Sequence, residues 1–450
     1  MLLNLVFALD WRCPEWKTRN SAWIRMLQPL STAAPALDVE KFRSAFRALD
    51  RRHLGKPVAY FDGPGGTQVP EPVVEAMSDY LRFHNANSHW AFPTSVETDR
   101  ILDEARSAAA DLLGCDVGEV AFGANMTTLT FHLARALGRR WGPGDEIVVT
   151  ELDHHANLAP WTALERERGL TVKSVPLNAD RTGLDMAAWA RVLGPKTRLV
   201  AVGAASNAIG TRSDVAAIAA MARSVGALVF VDAVHLTPHV LPDVRALGCD
   251  FLACSAYKFC GPHVGILFGR ADRLAELDVP KLAPAPDVGA PRLETGTQNH
   301  EGIAGVAAAI DFLAGFGGSG VGLGRRAALA AYYERLARHE GRLFVRLWDG
   351  LASIPGVRLH GLPPGGSRTA TVAFEIDGVP ARDAAVALAG SACFVSHGDF
   401  YATTLVGRLT GGRPLLRAGC APYTTLDEVE RLVTAVERLA EARSLLRAPS

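Results

Sequence analysis

The sequence predicts an α/β protein built on a mainly parallel sheet of seven strands, with a smaller α+β domain beside it. From Glu119 onward, short apolar and β-branched runs alternate with helical stretches, which is the pattern of βα units. The chain has 450 residues, more than one domain usually holds, which favours one large and one small domain. The predicted strands are residues 120–122, 146–150, 171–175, 198–202, 227–231, 251–254 and 264–268.

The segment before this sheet is predicted to be mainly helical. Residues 1–36 contain three tryptophans and mixed charge, fit no element, and are predicted to be a dispensable or disordered N-terminal extension. Helices are predicted at 38–53, 70–83 and 95–113, the last capped by Ser95, with a strand at 58–62. That strand leads into a Gly-Pro-Gly-Gly turn at 63–66, where backbone can approach a ligand. Residues 85–90, which include His89, have no period and are predicted to form a loop.

The segment after the sheet is predicted to form the small domain. A glycine cluster at 315–320 interrupts the helical pattern, and one long helix at 325–354 follows it and bridges the domains. Strands at 357–360, 370–376 and 415–418 then alternate with helices at 380–388 and 426–440. The predicted division is an extension at 1–36, a segment at 37–62 that packs with the small domain, a large domain at 63–320 and a small domain at 321–450.

Composition and cysteine use restrict the function classes. With 47 basic and 47 acidic residues the formal net charge is zero, which argues against nucleic-acid or membrane-surface partners. The seven cysteines are scattered and odd in number, so neither a disulfide nor a zinc site is expected, and a reducing compartment is favoured. The apolar opening, residues 2–9, lacks the features of a signal peptide, and no run approaches about 20 apolar residues. We therefore expect a cytoplasmic protein.

One lysine needs a chemical explanation. Lys258 follows the apolar run 251–254, where an ammonium is costly to desolvate unless it is paired, neutralised or consumed in a covalent bond. Upstream, Asp232 ends the buried run 227–231. Pyridoxal phosphate (PLP) needs such a pair: an amine for a Schiff base, and a carboxylate that keeps the ring nitrogen protonated. A structural salt bridge explains the pair equally well when it is considered alone.

Polar loops follow several of the predicted strands, at the sheet edge where α/β proteins bind ligands. The loop 123–128 includes Met126 and Thr127 and offers backbone N–H groups and hydroxyls to a phosphate, or else an ordinary threonine helix cap. His154 offers a flat ring that can stack on a flat cofactor. Asn207 lies on a tight loop, and His235 follows the strand that ends at Asp232.

Five segments together resemble class V of the fold-type-I PLP enzymes, and within it the cysteine desulfurase and selenocysteine lyase group. The segments are 151–157, 206–211, 231–235, 255–258 and 294–299, and they come in the family order within residues 38–440. The resemblance implies the fold-type-I transferase fold and PLP as the cofactor. It also implies three catalytic residues: Lys258 binds PLP and moves protons, Asp232 holds the ring nitrogen, and His154 stacks on the ring.

The same resemblance assigns the remaining contacts. Asn207 would donate to the phenolic oxygen of the cofactor. Thr297 would reach the phosphate of the other subunit, which implies a homodimer with shared sites. Arg417 would hold the α-carboxylate of a small amino-acid substrate. The further cofactor contacts implied are Met126, Thr127, Ser255, His235 in place of a family glutamine, and Tyr257 in place of a histidine. Apart from the resemblance, the predicted substrate contacts are His89, with capping or packing in its own loop as the alternative, and His397 and Tyr401, with simple packing of the loop 395–402 as the alternative.

The loop 395–402 departs from the desulfurase pattern. Tyr401 stands where desulfurases carry the cysteine that forms a persulfide, and a tyrosine cannot accept sulfur. The nearest thiols in sequence, Cys260 and Cys393, are typical of small buried hydrophobes. We therefore predict a PLP enzyme that cleaves a carbon–sulfur bond of a small amino acid without a loop persulfide. The alternatives are a class V aminotransferase or amino-acid epimerase, and a catalytically weak PLP-binding partner protein.

Overall fold

The seven predicted strands form one sheet in a computed structural model that describes residues 36–318 and 324–445. The strands are β1 Val120–Gly123, β2 Glu146–Thr150, β3 Thr171–Val175, β4 Thr197–Gly203, β5 Leu228–Asp232, β6 Phe251–Ser255 and β7 Gly265–Gly269. Their order is β1-β7-β6-β5-β4-β2-β3. Strand β7 is antiparallel to both of its neighbours, and every other neighbouring pair is parallel. The predicted mainly parallel sheet is confirmed, and the carboxyl ends of the other six strands share one edge.

Helices cover both faces of this sheet, which explains why its strands are apolar runs rather than alternating ones. Successive side chains of β5 point to opposite faces, so Val229 and Val231 pack into one core and Phe230 into the other. The first core also contains residues of helices Pro93–Leu113, Val215–Ser224 and His300–Gly315. The second contains residues of helices Met126–Gly138 and Ala159–Arg168. Shorter helices are Glu71–Asp79, Trp189–Val192, Val244–Leu247 and Ala271–Glu276.

A second sheet follows, with four antiparallel strands. These are β8 Val357–His360, β9 Thr371–Ile376, β10 Ser396–Gly398 and β11 Leu415–Gly419, in the order β8-β9-β11-β10. The helices of this part are Arg325–Ala352, Ala381–Gly390, Thr403–Thr410 and Leu426–Leu445. Leu347, Val372, Leu416 and Leu432 share one core between the sheet and these helices. The predicted α+β arrangement is confirmed, while the domain boundaries stay a prediction.

Two elements of this part were not predicted. Strand β10 has the sequence Ser-His-Gly, which contains no apolar alternation, and helix Thr403–Thr410 is a short element inside a presumed loop. Strand β10 exists because it pairs with β11 in the register Ser396 to Arg417. Pairing with β11 therefore makes this segment a strand, although its own composition does not favour one.

The N-terminal segment differs most from expectation. The helix predicted at 38–53 is wrong beyond its first turn: helix Val39–Arg43 is followed by a 3₁₀ turn and a hairpin of Arg52–His53 with Lys56–Pro57. Left-handed backbone at Leu54 and Gly55 makes the hairpin turn. The strand predicted at 58–62 shrinks to Ala59–Tyr60, paired in parallel with Cys393–Phe394. The extension predicted at 1–36 lies outside the described residues except for its last residue.

The remaining helix ends also differ in detail. Helix Pro93–Leu113 begins before Ser95, so the predicted cap is wrong. The Ser95 hydroxyl instead accepts from Trp90 N–H at 2.8 Å and donates to the Asn87 carbonyl at 2.6 Å, which ties down the preceding loop. Helix Glu71–Asp79 continues as a π-helical turn, Tyr80–His84. Among the described helices, none is both long and apolar enough to cross a membrane.

Candidate active site

A cavity of about 640 Å³ lies at the edge where the parallel strands end. Loops that follow β1, β2, β4, β5 and β6 line it, as expected for an α/β sheet. Nine predicted site residues line this cavity: Met126, Thr127, His154, Asn207, Asp232, His235, Ser255, Tyr257 and Lys258. The geometry thus brings most of the predicted cofactor residues together.

One wall of the cavity is the first turn of helix Met126–Gly138. The Asn125 side chain accepts from Thr128 N–H at 2.9 Å and caps this helix, so the alternative of a threonine cap is wrong. Met126 N–H donates to Ser255 Oγ at 3.0 Å, and Thr127 is exposed. A side chain at Gly265 would come within 2.4 Å of the Asn125 backbone, so β7 approaches this turn closely. A helix N-terminus with the exposed Thr127 beside it suits a phosphate.

Lys258 lies in the 3₁₀ turn Ala256–Lys258, directly after β6. Its ammonium is buried, donates to the Pro64 carbonyl oxygen and lies 4.9 Å from the centre of the Tyr257 ring. Burial, and then the charge of Arg417, lowers the pKa of Lys258 to about 7. A lysine with this pKa is substantially neutral at physiological pH, and the neutral amine is the nucleophile.

Two buried carboxylates flank the ends of neighbouring strands. Asp232 Oδ1 accepts from Val234 N–H at 2.9 Å, and burial raises the pKa of Asp232 to about 6. Among the described residues, no cationic group lies within ion-pair distance of Asp232. Asp153 accepts from the Thr150 hydroxyl at 2.7 Å and from Gly203 N–H, and burial raises its pKa to about 7. A Cβ at Gly203 would lie 2.4 Å from Asp153 Oδ1, so only glycine fits there.

His154 follows Asp153 and caps the 3₁₀ turn His155–Asn157. Its Nδ1 accepts from Ala156 N–H at 3.0 Å, which places the hydrogen of the neutral imidazole on Nε2. Burial, and then the charges of Lys258 and Arg417, lowers the pKa of His154 to about 4. Its ring centre lies 5.5 Å from that of Tyr401, with 34° between the ring planes. His154 is therefore a neutral flat ring with Tyr401 beside it.

Arg417 comes from the second sheet, on β11. It is buried, and its Nη1 donates to the Asn207 carbonyl at 2.8 Å while Nη2 lies 3.4 Å from Ser396 Oγ. Its guanidinium carbon lies 4.3 Å from the centre of the Phe400 ring. Its Nε is buried and has no hydrogen-bond partner. Burial lowers the pKa of Arg417 to about 10, which still leaves it charged at neutral pH.

The loop between β10 and helix Thr403–Thr410 closes over these groups. Phe400 and Tyr401 both have left-handed backbone, with φ of 58° and 55°. The Phe400 carbonyl accepts from Asn207 Nδ2 at 2.8 Å, and the Tyr401 carbonyl accepts from His155 N–H at 2.7 Å. The Asn207 amide nitrogen, the predicted donor to the cofactor, thus already gives one of its two hydrogens to Phe400.

His235 lies between the two sheets. Its Nε2 lies 3.1 Å from Thr369 Oγ1 and 3.2 Å from Thr371 Oγ1, while its Nδ1 is buried without a partner. Burial lowers the pKa of His235 well below its ordinary value, so the ring is neutral. The Tyr257 ring stacks on the His263 ring, with 5.0 Å between the ring centres. Both replacements of the family residues therefore keep polar or aromatic contacts at the cavity.

Five predicted residues do not line this cavity within their own chain: Arg417, described above, and His89, Thr297, His397 and Tyr401. His89 is exposed, with Nδ1 3.2 Å from Asp99 Oδ1, and Thr297 is exposed as well. His397 points out from β10, and 72% of the Tyr401 surface is exposed, so Tyr401 reaches the site only through its contact with His154.

Sequence reasoning missed two carboxylates, Asp62 and Asp153. Among the described residues, the buried Oδ1 of Asp62 has no hydrogen-bond partner. Burial raises the pKa of Asp62, and the positive charges of Arg417 and Lys258 oppose this increase. Its sequence signal was present, because Asp62 ends an apolar run before a glycine-rich turn, as Asp232 ends β5. No comparable signal separates Asp153 from the polar loop around it.

The residues present fit PLP. Four buried polar atoms at or beside the cavity have no hydrogen-bond partner within residues 36–318 and 324–445: Asn207 Oδ1, His235 Nδ1, Arg417 Nε and Asp62 Oδ1. Asp232, a buried carboxylate without a cation, suits a protonated ring nitrogen. The first turn of helix Met126–Gly138 would hold the phosphate, His154 would cover the ring, and Lys258 would make the covalent bond. Among the described residues no three metal-ligating side chains cluster at a possible metal site.

The lowered pKa of Lys258 predicts how PLP attachment depends on pH. A lysine with a pKa of about 7 gains its reactive neutral form as the pH rises through 7, rather than through the ordinary 10.5. The rate at which cofactor-free protein acquires the visible absorption of bound PLP should therefore rise with a midpoint near pH 7. The same profile in Arg417→Met should move to higher pH, because a neighbouring positive charge is removed. A wild-type midpoint above pH 9 would contradict this assignment.

Comparisons with known proteins agree with this geometry. Residues 59–432 match the family model described as aminotransferase class-V. A protein of Halobacterium salinarum named "Probable cysteine desulfurase" is 33% identical over 433 residues, which cover 92% of this chain and 99% of that protein. The apo structure of a cysteine desulfurase from Thermococcus onnurineus has a TM-score of 0.80 at 27% identity and covers 92% of this chain and 100% of its own.

A second solved structure, the Escherichia coli cysteine desulfurase CsdA in an S-sulfonic acid form, has a TM-score of 0.78 at 29% identity. It covers 91% of this chain and 100% of its own. The predicted family, fold and cofactor are confirmed by the family match together with these likenesses. The chain belongs to the aminotransferase class-V family, whose members are PLP-dependent enzymes.

Proposed function

We propose that this enzyme cleaves the carbon–sulfur bond of a small amino acid and releases the sulfur as sulfide, without a persulfide on its own chain. The observation that carries the proposal is the closing loop. It presents Tyr401 beside His154, and among the described residues it holds no cysteine. The desulfurase relatives support carbon–sulfur chemistry, and the loop argues against transfer of the sulfur to the enzyme.

The thiols nearest in sequence are poor sulfur acceptors. Cys260 is 1% exposed and Cys393 is fully buried. Burial raises the pKa of Cys260 to about 12 and also raises that of Cys393. Because the thiolate is the nucleophile, both side chains are unreactive at neutral pH.

Each side chain of the site would have a separate role in this reaction. Arg417 would fix the α-carboxylate, which its Nε and planar fork are suited to hold. Lys258, neutral near pH 7, would take the α-proton. Asp232 would accept a hydrogen bond from the ring nitrogen, and His154 would hold the ring face. PLP, when bound, withdraws electrons from the substrate α-carbon and so lowers the barrier to breaking bonds there.

The reaction with cysteine balances without an oxidant or an acceptor thiol. Loss of the α-proton and of the sulfur on the β-carbon, followed by addition of water, converts cysteine into pyruvate, ammonia and hydrogen sulfide. Tyr401 and Phe400 would close the site over the substrate during these steps. A desulfurase instead forms alanine and needs a thiol that accepts the sulfur.

The products decide between the candidate reactions. Purified holoenzyme should be incubated with a panel of amino acids that includes cysteine, with sulfide, pyruvate, alanine and keto acids measured. Equal amounts of sulfide and pyruvate are expected. Alanine together with a labelled persulfide on Cys260 or Cys393, abolished by serine replacement, would refute the proposal. Keto acid formed without sulfide would indicate an aminotransferase, loss of optical rotation an epimerase, and no turnover a weak PLP-binding protein.

We also propose a homodimer with shared active sites that works in the cytoplasm. The support is that Thr297, which matches a residue that reaches across subunits, is exposed and lies outside the cavity of its own chain. The scattered cysteines and zero net charge favour a reducing compartment and a small-molecule substrate, without nucleic acid or membrane as a partner. Sedimentation velocity should give twice the mass of the chain, and a monomer that turns over cysteine would refute the shared site.

A further inference from the structure

A second cavity, of about 370 Å³, lies behind the active site. It opens between helix Arg325–Ala352 and the segment that precedes β9. Two guanidiniums, of Arg212 and Arg368, share its wall with apolar side chains such as Val240 and Phe344. The cavity is within the size range of small-molecule sites.

Arg368 is held rigidly and still has capacity to bind. Its Nη2 donates to the carbonyls of Ile209 and Thr371, and its guanidinium carbon lies 3.8 Å from the centre of the Phe344 ring. Its Nη1 is buried and has no hydrogen-bond partner. Burial lowers the pKa of Arg368 to about 9. A fixed guanidinium with one unused nitrogen is preorganised for an oxyanion.

Arg212 is brought next to Arg368 by the backbone. An isolated β-bridge joins Thr211 to Arg368, and Arg212 N–H donates to the Ser367 carbonyl at 2.9 Å. The Arg212 side chain lines the cavity, is partly buried, and forms no hydrogen bond or ion pair with any described residue. Burial lowers the pKa of Arg212 as well. Partial burial of the Arg212 charge costs free energy, and no described carboxylate pairs with it.

The one acidic side chain in the cavity wall is already engaged. Both carboxylate oxygens of Glu340 lie 2.9 Å from His239 Nδ1. Neither Arg212 nor Arg368 forms an ion pair with a carboxylate in residues 36–318 and 324–445. The cavity therefore carries two cations without a counter-ion of their own.

We propose that this cavity binds a small organic oxyanion, a carboxylate or phosphate that also has an apolar part, between the guanidiniums of Arg212 and Arg368. The guanidinium fork of Arg212 and the unused Nη1 of Arg368 supply the donors for the oxygens of the ligand. Val240, Phe344 and Val345 receive its apolar part. The proposal is independent of the reaction at Lys258.

The site contacts the cofactor cavity through two side chains. Thr369 lines the second cavity, and its Oγ1 lies 3.1 Å from Nε2 of His235, which lines the first. His239 lines the second cavity too, and its ring centre lies 5.2 Å from that of His235. A ligand in the second cavity would therefore be separated from the cofactor cavity by a single layer of side chains.

Direct binding to holoenzyme tests the proposal. Phenyl phosphate and benzoate would be titrated calorimetrically into the wild type, Arg212→Gln, and Arg382→Gln as the control, which removes an exposed arginine outside both cavities. We expect one molecule of probe per chain, with binding about 10- to 100-fold weaker in Arg212→Gln and unchanged in the control. Stronger binding of phenyl phosphate identifies a phosphate ligand, and stronger binding of benzoate identifies a carboxylate.

Arg417→Lys is titrated as well, and two binding results would overturn the proposal. One is no binding of either probe, and the other is binding that Arg417→Lys weakens and Arg212→Gln does not, which would place the probe at the substrate site. Thermal unfolding gives a readout that does not require the probe. Without ligand, Arg212→Gln should raise the melting midpoint of the holoenzyme by about 1–2 °C, because an unpaired, partly buried charge is removed. A lower midpoint would show that Arg212 serves the fold, and would also overturn the proposal.

Discussion

The Lys258→Ala variant is expected to lose covalent attachment of PLP. Its turnover should fall by about 100- to 10,000-fold, which is the usual contribution of a proton-transfer group, or by more. Lys258 is the buried amine of the cavity, and burial has already brought its pKa to about 7. Borohydride reduction of the wild-type holoenzyme followed by peptide mapping should place the pyridoxyl group on Lys258. The variant should give no such adduct.

Lys173→Ala is the matched control, because Lys173 pairs with Glu146 at 2.7 Å and neither residue lines the cavity. It should keep both the adduct on Lys258 and full turnover. An adduct on a different lysine of the wild type, or appreciable turnover by Lys258→Ala, would contradict the role assigned to this residue.

The Arg417→Lys variant is expected to raise KM for amino-acid substrates by about 10- to 100-fold, with a smaller effect on kcat. Lysine keeps the charge but loses the planar fork that can hold both oxygens of a carboxylate. The free Nε of Arg417 and its fixed contact with the Asn207 carbonyl are the structural basis for this expectation. Steady-state kinetics measures the effect.

Arg413→Lys is the control, since this arginine lies just before the same strand but is 66% exposed and pairs with Glu375. It should leave KM unchanged. The sharper comparison uses an amine that lacks the α-carboxylate: Arg417→Lys should narrow the preference of the enzyme for the amino acid over this amine. If the wild type turned over both compounds equally well, Arg417 would have no role in selecting the carboxylate.

The fold was predictable where local pattern and burial agree. Strand β5 is a continuous apolar run ending in Asp232, so its existence, its burial on both faces and its polar end followed from the sequence. The position of β7 between β1 and β6, antiparallel to both, did not follow, because strand order depends on pairing between distant segments. The hairpin at Leu54 and Gly55 was missed because its left-handed turn replaces the expected helix.

The site residues were likewise predictable only in part. Residues that directly follow parallel strands, such as Lys258 and His154, were placed because the topology brings all such positions to one edge. Thr297 was assigned by resemblance alone and His89 from a polar loop without period, and both are exposed outside the cavity of their own chain. Arg212 and Arg368 line one cavity because a β-bridge between Thr211 and Arg368 joins two distant loops. No local sequence pattern predicts that pairing.

The hydrogen bonds that hold the closing loop against the active site are accepted by the loop's backbone carbonyls. The carbonyls of Phe400 and Tyr401 accept from Asn207 and from His155 N–H, and every amino acid has such a carbonyl. The side chain at position 401 is therefore free to change while the loop stays in place. Under the proposed function, a single substitution at this position would add a sulfur-accepting thiol and exchange a diffusible product for a protein-bound one, with the catalytic centre unchanged.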